Sequence, residues 1–63
     1  MISKETCKIF LNLNVRLERS IGSLSEERFG ILKEVNDTEI VLEFKGRMQI
    51  YDLCSISSIR EAF

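Results

Sequence analysis

A chain of 63 residues that is 44% hydrophobic and 30% charged has room for one domain and too much apolar content for disorder. At this size only about 60% of the unfolded surface can be buried, so a lone monomer is marginal, and such chains recover the deficit through disulfides, metals or assembly. Nine basic against ten acidic residues give a net charge of -1, which argues against a domain held on nucleic acid by bulk positive charge and leaves room for a local basic patch.

No apolar run approaches the roughly 18 residues that cross a membrane. The first residues lack the basic, apolar and small-residue pattern of a secretory leader. The expectation is a cytoplasmic protein with no membrane segment. Two cysteines, Cys7 and Cys54, and no histidine cannot supply the four ligands of a structural zinc site. Both are expected to be small buried or half-buried hydrophobes rather than a disulfide pair. No metal and no cofactor are expected.

In chain order, Ser3 is positioned to cap a helix or turn over residues 4–11, with Cys7, Phe10 and Leu11 on one face. From Ile9 to Leu17 the apolar residues Ile9, Leu11, Leu13, Val15 and Leu17 alternate with Phe10, Asn12, Asn14 and Arg16, the period of a half-buried strand. A strand over about residues 12–19 follows from this. Residues 20–26, SIGSLSE, carry three serines and Gly22 and read as a loop that Ile21 and Leu24 pin to the core.

The stretch FGILKEVNDTEIVLEF, residues 29–44, reads as two strands reversing at Asn36-Asp37. Gly30, Asn36, Asp37 and Thr38 weaken a helix there, and a single strand of that length would be exceptional. Gly30 inside a strand signals a sharp bend or bulge. After the reversal, Ile40, Leu42 and Phe44 alternate with Glu39, Val41 and Glu43. A second hairpin turns at Lys45-Gly46, and Met48 and Ile50 then alternate with Gln49 and Tyr51. A short turn near Cys54-Ser55 leads to a last strand from Ile56 to Ile59. Five short strands in a meander close naturally into a small barrel, which removes most exposed edges. The expected fold is therefore all-β, a five-stranded small barrel with a short N-terminal helix.

The segments FLNLNVRLE, GILKEVNDTEIVL and SISSI, in this order of elements, resemble the Sm-like small barrels, a family that includes Hfq and the C-terminal domain of the ribosome maturation factor RimP. Gly30, Asn36 or Asp37, and Ile40-Val41-Leu42 match the first Sm signature in outline, and Ile56 and Ile59 match the Ile-x-x-Ile strand of the second. Src-homology-3-like barrels share the same meander. The resemblance implies RNA-associated binding, and it implies assembly in which fourth and fifth strands of neighbours join edge to edge. The chain departs from the pattern at two places. Where uridine-binding Sm proteins carry Asn before the third strand, it has Thr38 or Glu39. Where they carry Arg-Gly before the last strand, it reads Asp52-Leu53-Cys54-Ser55, and Asp52 repels phosphate. The histidine-bearing signature of Hfq is also absent.

An enzyme is not expected. A hydrolytic triad needs a base, usually His, and Ser55, Ser57 and Ser58 sit where turns and strand ends commonly use serine. Glu26, Glu27, Asp37 and Glu39 read as solvated carboxylates rather than a cation site, and the three glycines are not spaced as a phosphate loop. Arg16, Glu18, Lys33 and Glu43 read as mixed surface charge. The candidate binding residues are Lys45, Arg47, Gln49, Tyr51 and Arg60. If Arg47, Gln49 and Tyr51 share a face, they offer cation, amide and ring together, a surface suited to an unstacked base or a peptide. The expected function is a non-catalytic binding module, RNA-associated or, alternatively, a protein-interaction adaptor without nucleic acid. The expected partner is a second copy of the chain or another protein.

Overall fold

In a computed structural model, which describes residues 2–62, the chain begins with the expected cap. The Ser3 hydroxyl accepts from the Thr6 N–H at 3.2 Å and opens helix α1, Lys4–Lys8. The helix is shorter than the 4–11 expected. Tighter i→i−3 bonds take over, with Ile9 N–H to Thr6 and Leu13 N–H to Phe10. Asn12 then adopts a left-handed φ of 68°, a conformation Asn tolerates better than most residues. From there its N–H donates to the Leu32 carbonyl at 2.7 Å. This change of direction delays the first strand by two residues.

Five antiparallel strands follow: β1 Asn14–Ile21, β2 Leu24–Val35, β3 Glu39–Phe44, β4 Arg47–Asp52 and β5 Ile56–Glu61, with a 3₁₀ turn, Leu53–Ser55, before the last. Their order in the sheet is β4-β3-β2-β1-β5. Successive strands are neighbours through β4, and β5 returns to lie beside β1. Strands β4 and β5 are the two edges and are not bonded to each other, so hydrogen bonding does not close the sheet. The Cα radius of gyration is 10.4 Å, close to the value of about 10.6 Å expected of a compact chain this long.

The reversals expected at 36–37 and 45–46 are where the chain turns. Asn36 Oδ1 accepts from the N–H groups of Thr38 and Glu39, at 2.9 and 2.8 Å, and ties the first reversal. The expected loop over 20–26 is instead almost all strand. Ser20 pairs with Ser25 and Ile21 with Leu24, leaving Gly22-Ser23 as the turn. Ile21 and Leu24 are exposed rather than pinned to the core, because they sit at the tip of a ribbon that extends past the body.

Strand β2 serves two neighbours. Residues 24–31 pair with β1 and residues 31–35 with β3, with a register shift between Leu32 and Glu34. Gly30 lies where the two pairings meet. A Cβ there would stand 2.8 Å from the Glu43 carbonyl oxygen, so the close approach of β3 requires glycine.

One face of the sheet holds the core: Cys7, Val15, Leu17, Leu32, Ile40, Leu42, Tyr51, Leu53, Ile56 and Ile59, with Ile2, Phe10, Leu11 and Val35 packed against it. Each fully buried aliphatic side chain stabilises the fold by about 1.5–3 kcal/mol. Cys7 is buried as expected, but Cys54 is exposed on the 3₁₀ turn, and both thiols are free. Burial pushes the Cys7 thiol pKa up. Ile9 is 73% exposed. The alternation read from Ile9 therefore reaches full burial only at Val15 and Leu17, with Leu11 packed at the margin of the core.

Candidate functional site

The β3–β4 hairpin fixes the phase of everything on β4. Lys45 and Gly46 have φ of 52° and 78°, the left-handed pair that a two-residue hairpin turn needs for its twist to match the strands. With that turn, Phe44 faces Arg47, Leu42 faces Gln49 and Ile40 faces Tyr51. Residues opposite one another on paired strands share a face. Leu42 and Ile40 are buried, so Arg47, Gln49 and Tyr51 stand on the inner face. Met48 and Ile50 stand on the outer face, 59% and 63% exposed. Tyr51 is buried, while Gln49 and Arg47, nearer the turn, are exposed.

Between this hairpin and the first half of β2 lies an open cleft of about 320 Å³, lined by Glu27, Arg28, Phe29, Phe44, Gln49 and Tyr51. It exists because β2 pairs with β3 only from Ile31 onward. Residues 24–30 lean away with β1, and the inner face is left uncovered at that end. The Phe44 ring is 45% exposed there, with the Lys45 ammonium 5.3 Å from its centroid.

Charge around the cleft is mixed. The Arg28 guanidinium donates to Glu26 at 2.9 Å and to the Glu27 carbonyl at 2.9 Å. Arg19 lies 4.9 Å over the Tyr51 ring and 3.4 Å from Glu26. Its Nε is buried without a hydrogen-bond partner. Arg19 thus occupies the ring face of Tyr51, whereas the half-exposed Phe44 and Phe29 rings, each with a cation at longer range, remain accessible in the cleft. Among the described residues, Lys45 and Arg47 make no ion pair.

Of the five residues singled out in the sequence, Gln49 and Tyr51 line the cleft; Arg47 pairs with the lining Phe44 across the hairpin, and Lys45 lies over the Phe44 ring. Arg60 is elsewhere. It lies opposite Arg16 on β1, beside a separate depression of about 280 Å³ with Arg16, Glu18, Ser58 and Ile59. Arg16 pairs with Glu27 and lies 5.9 Å from the Phe29 ring centroid. That contact, reinforced at longer range by Arg60, holds the Glu27 carboxyl below the usual carboxylate range.

Sequence reading missed Arg28, Phe44 and Arg19. The signal was present for Phe44: a two-residue turn after an inward Leu42 forces Phe44 and Arg47 onto the same face. Arg28 and Arg19 needed the β1–β2 register, which the serine-rich stretch concealed. Among the described residues, no group of three or more Cys, Asp or Glu is placed to hold a metal ion. No helix among them is long and apolar enough to cross a membrane. Comparison with protein families, with curated proteins and with solved structures finds no match.

Proposed function

We propose that the chain is a non-catalytic binding module, an Sm-like or Src-homology-3-like small barrel that holds an unstacked base of single-stranded RNA at the inner-face cleft. The observation that carries this is the exposed Phe44 ring and the Gln49 residue lining one opening, with Arg47 opposite Phe44 on the hairpin and the Lys45 ammonium over its ring. Base–aromatic stacking tolerates any sequence, and amide and guanidinium groups read base edges and backbone. The five-stranded antiparallel order after a short helix, with glycine inside β2, supports the barrel reading.

The test is titration with short single-stranded RNA at about 50 and 200 mM salt. Binding is expected to weaken as salt rises. Phe44→Ala is expected to remove about 1–3 kcal/mol of stacking, and Arg47→Ala to weaken binding and flatten the salt dependence. No binding at the lower salt would end this reading.

A protein-interaction adaptor is the second reading. It is favoured by Met48 and Ile50, adjacent apolar side chains exposed on the outer face of an edge strand, next to half-buried Val41 on β3.

A further inference from the structure

The bonding phase of β4 leaves a specific set of backbone groups without partners. The Leu53 N–H donates to the Thr38 carbonyl at 2.9 Å, which continues the β3–β4 ladder one step past Glu39 and Asp52. Hydrogen-bonded and non-bonded pairs alternate along an antiparallel ladder. The bonded residues of β4 are therefore Arg47, Gln49 and Tyr51, in phase with Leu53. Met48, Ile50 and Asp52 turn their N–H and C=O groups to the free edge.

Natural edges are blunted by bulges, proline, lysine or inward charge. The β5 edge has such features: a register shift against β1 and the charges of Arg60 and Glu61. The β4 edge carries charge only at its ends, inward Arg47 beside the turn and Asp52, and none at its centre. It is six residues in regular register with no proline, and apolar Met48 and Ile50 flank its centre.

We propose that β4 pairs antiparallel with β4 of a second copy, about a two-fold axis through Gln49. In that register Met48 lies opposite the second copy's Ile50, and the two exchange backbone hydrogen bonds, twice by symmetry. Their side chains join into one apolar stripe on the outer face. Gln49 meets its own equivalent in the non-bonded pair on the axis. Asp52 lies opposite the basic turn Lys45-Gly46-Arg47, so opposite charges meet at both ends of the ribbon. Shifting the pairing by two residues in one direction sets Asp52 against Met48 and loses that match. Shifting it the other way sets Ile50 against Gly46 and leaves it unpaired. This assembly is isologous, whereas the Sm resemblance implies head-to-tail joining of fourth to fifth strands. It does not depend on what the cleft holds.

The experiment is sedimentation of the full chain across the micromolar range, with disulfide trapping. The native chain is expected to be a dimer at high micromolar concentration. Ile50→Lys is expected to lose the dimer while keeping the native circular dichroism, since Ile50 is exposed in the monomer. In a Cys54→Ser background, Gln49→Cys is expected to cross-link under mild oxidation, because non-bonded antiparallel pairs stand about 4.5 Å apart at Cα, within disulfide range. Met48→Cys in the same background is expected to cross-link far more slowly. A monomer at every concentration would overturn the proposal. So would a ring larger than a dimer, or a dimer that Gln49→Cys fails to trap.

Discussion

Gly30 shows how one residue holds the two halves of the molecule in register. It lies opposite Val15 on β1 while its own backbone approaches Glu43 on β3. Because a Cβ would meet backbone rather than a flexible side-chain end, Gly30→Ala has to move β3. The expected loss is about 1–3 kcal/mol, as for other overpacked sites, read as a fall in Tm of at least about 4 °C for a domain this small. A variant as stable as the parent would mean that β3 does not approach so closely. The glycine was legible in the sequence as a bend or bulge, but the close approach of β3 that requires it was not, because it depends on which strand pairs there. The inward placement of Tyr51 was less legible. Hydrophobicity alone favours burying Met48 and Ile50, and only the turn length carries the phase from Leu42 across to Gln49. Tyr51 is buried with Arg19 over its ring, a cation–π contact in which the ring quadrupole attracts the guanidinium.

At the scale of elements, short α1 is too small to be stable alone. Burial of Cys7 and the packing of Phe10 and Leu11 hold it, together with one long-range ion pair, Lys4 with Asp37 at the β2–β3 reversal. Lys4 holds the Asp37 carboxyl below its ordinary value, through their hydrogen bond first and charge second. A carboxylate whose pKa is lowered by folding contributes stability that is fully present above its unfolded pKa. That stability is lost as pH falls through the folded one. Stability of the parent to urea should therefore weaken as pH falls below the ordinary Asp value of about 4, and Asp37→Asn should show a shallower decline there. An identical decline in both proteins would remove the pair from the account. The pair is exposed, so the difference is small at high salt. The reversals at 36–37 and 45–46 were legible because Asn, Asp and Gly have direct reasons to sit in turns. The hairpin at Gly22-Ser23 was obscured because Ser20, Ser23 and Ser25 look like a loop. Serine opposes a strand only weakly, and pairing with β1 through Ser25 and Leu24 decides the outcome.

At the scale of the whole molecule, a chain of 63 residues completes its core on one face of a curved sheet. It leaves two further surfaces open, the cleft beside Phe44 and the β4 edge. Both follow from the same fact, that Arg47, Gln49 and Tyr51 face inward and bond to β3. Neither surface could be assigned from composition, because the net charge is near zero and the apolar residues of β4 are the ones outside. Amide hydrogen exchange, resolved residue by residue and repeated on dilution, tests this phase most directly. Gln49 and Tyr51 amides should stay protected at every concentration, while Met48 and Ile50 amides should lose protection as the protein is diluted. Rapid exchange at Gln49 and Tyr51, with Met48 and Ile50 protected at every dilution, would contradict it.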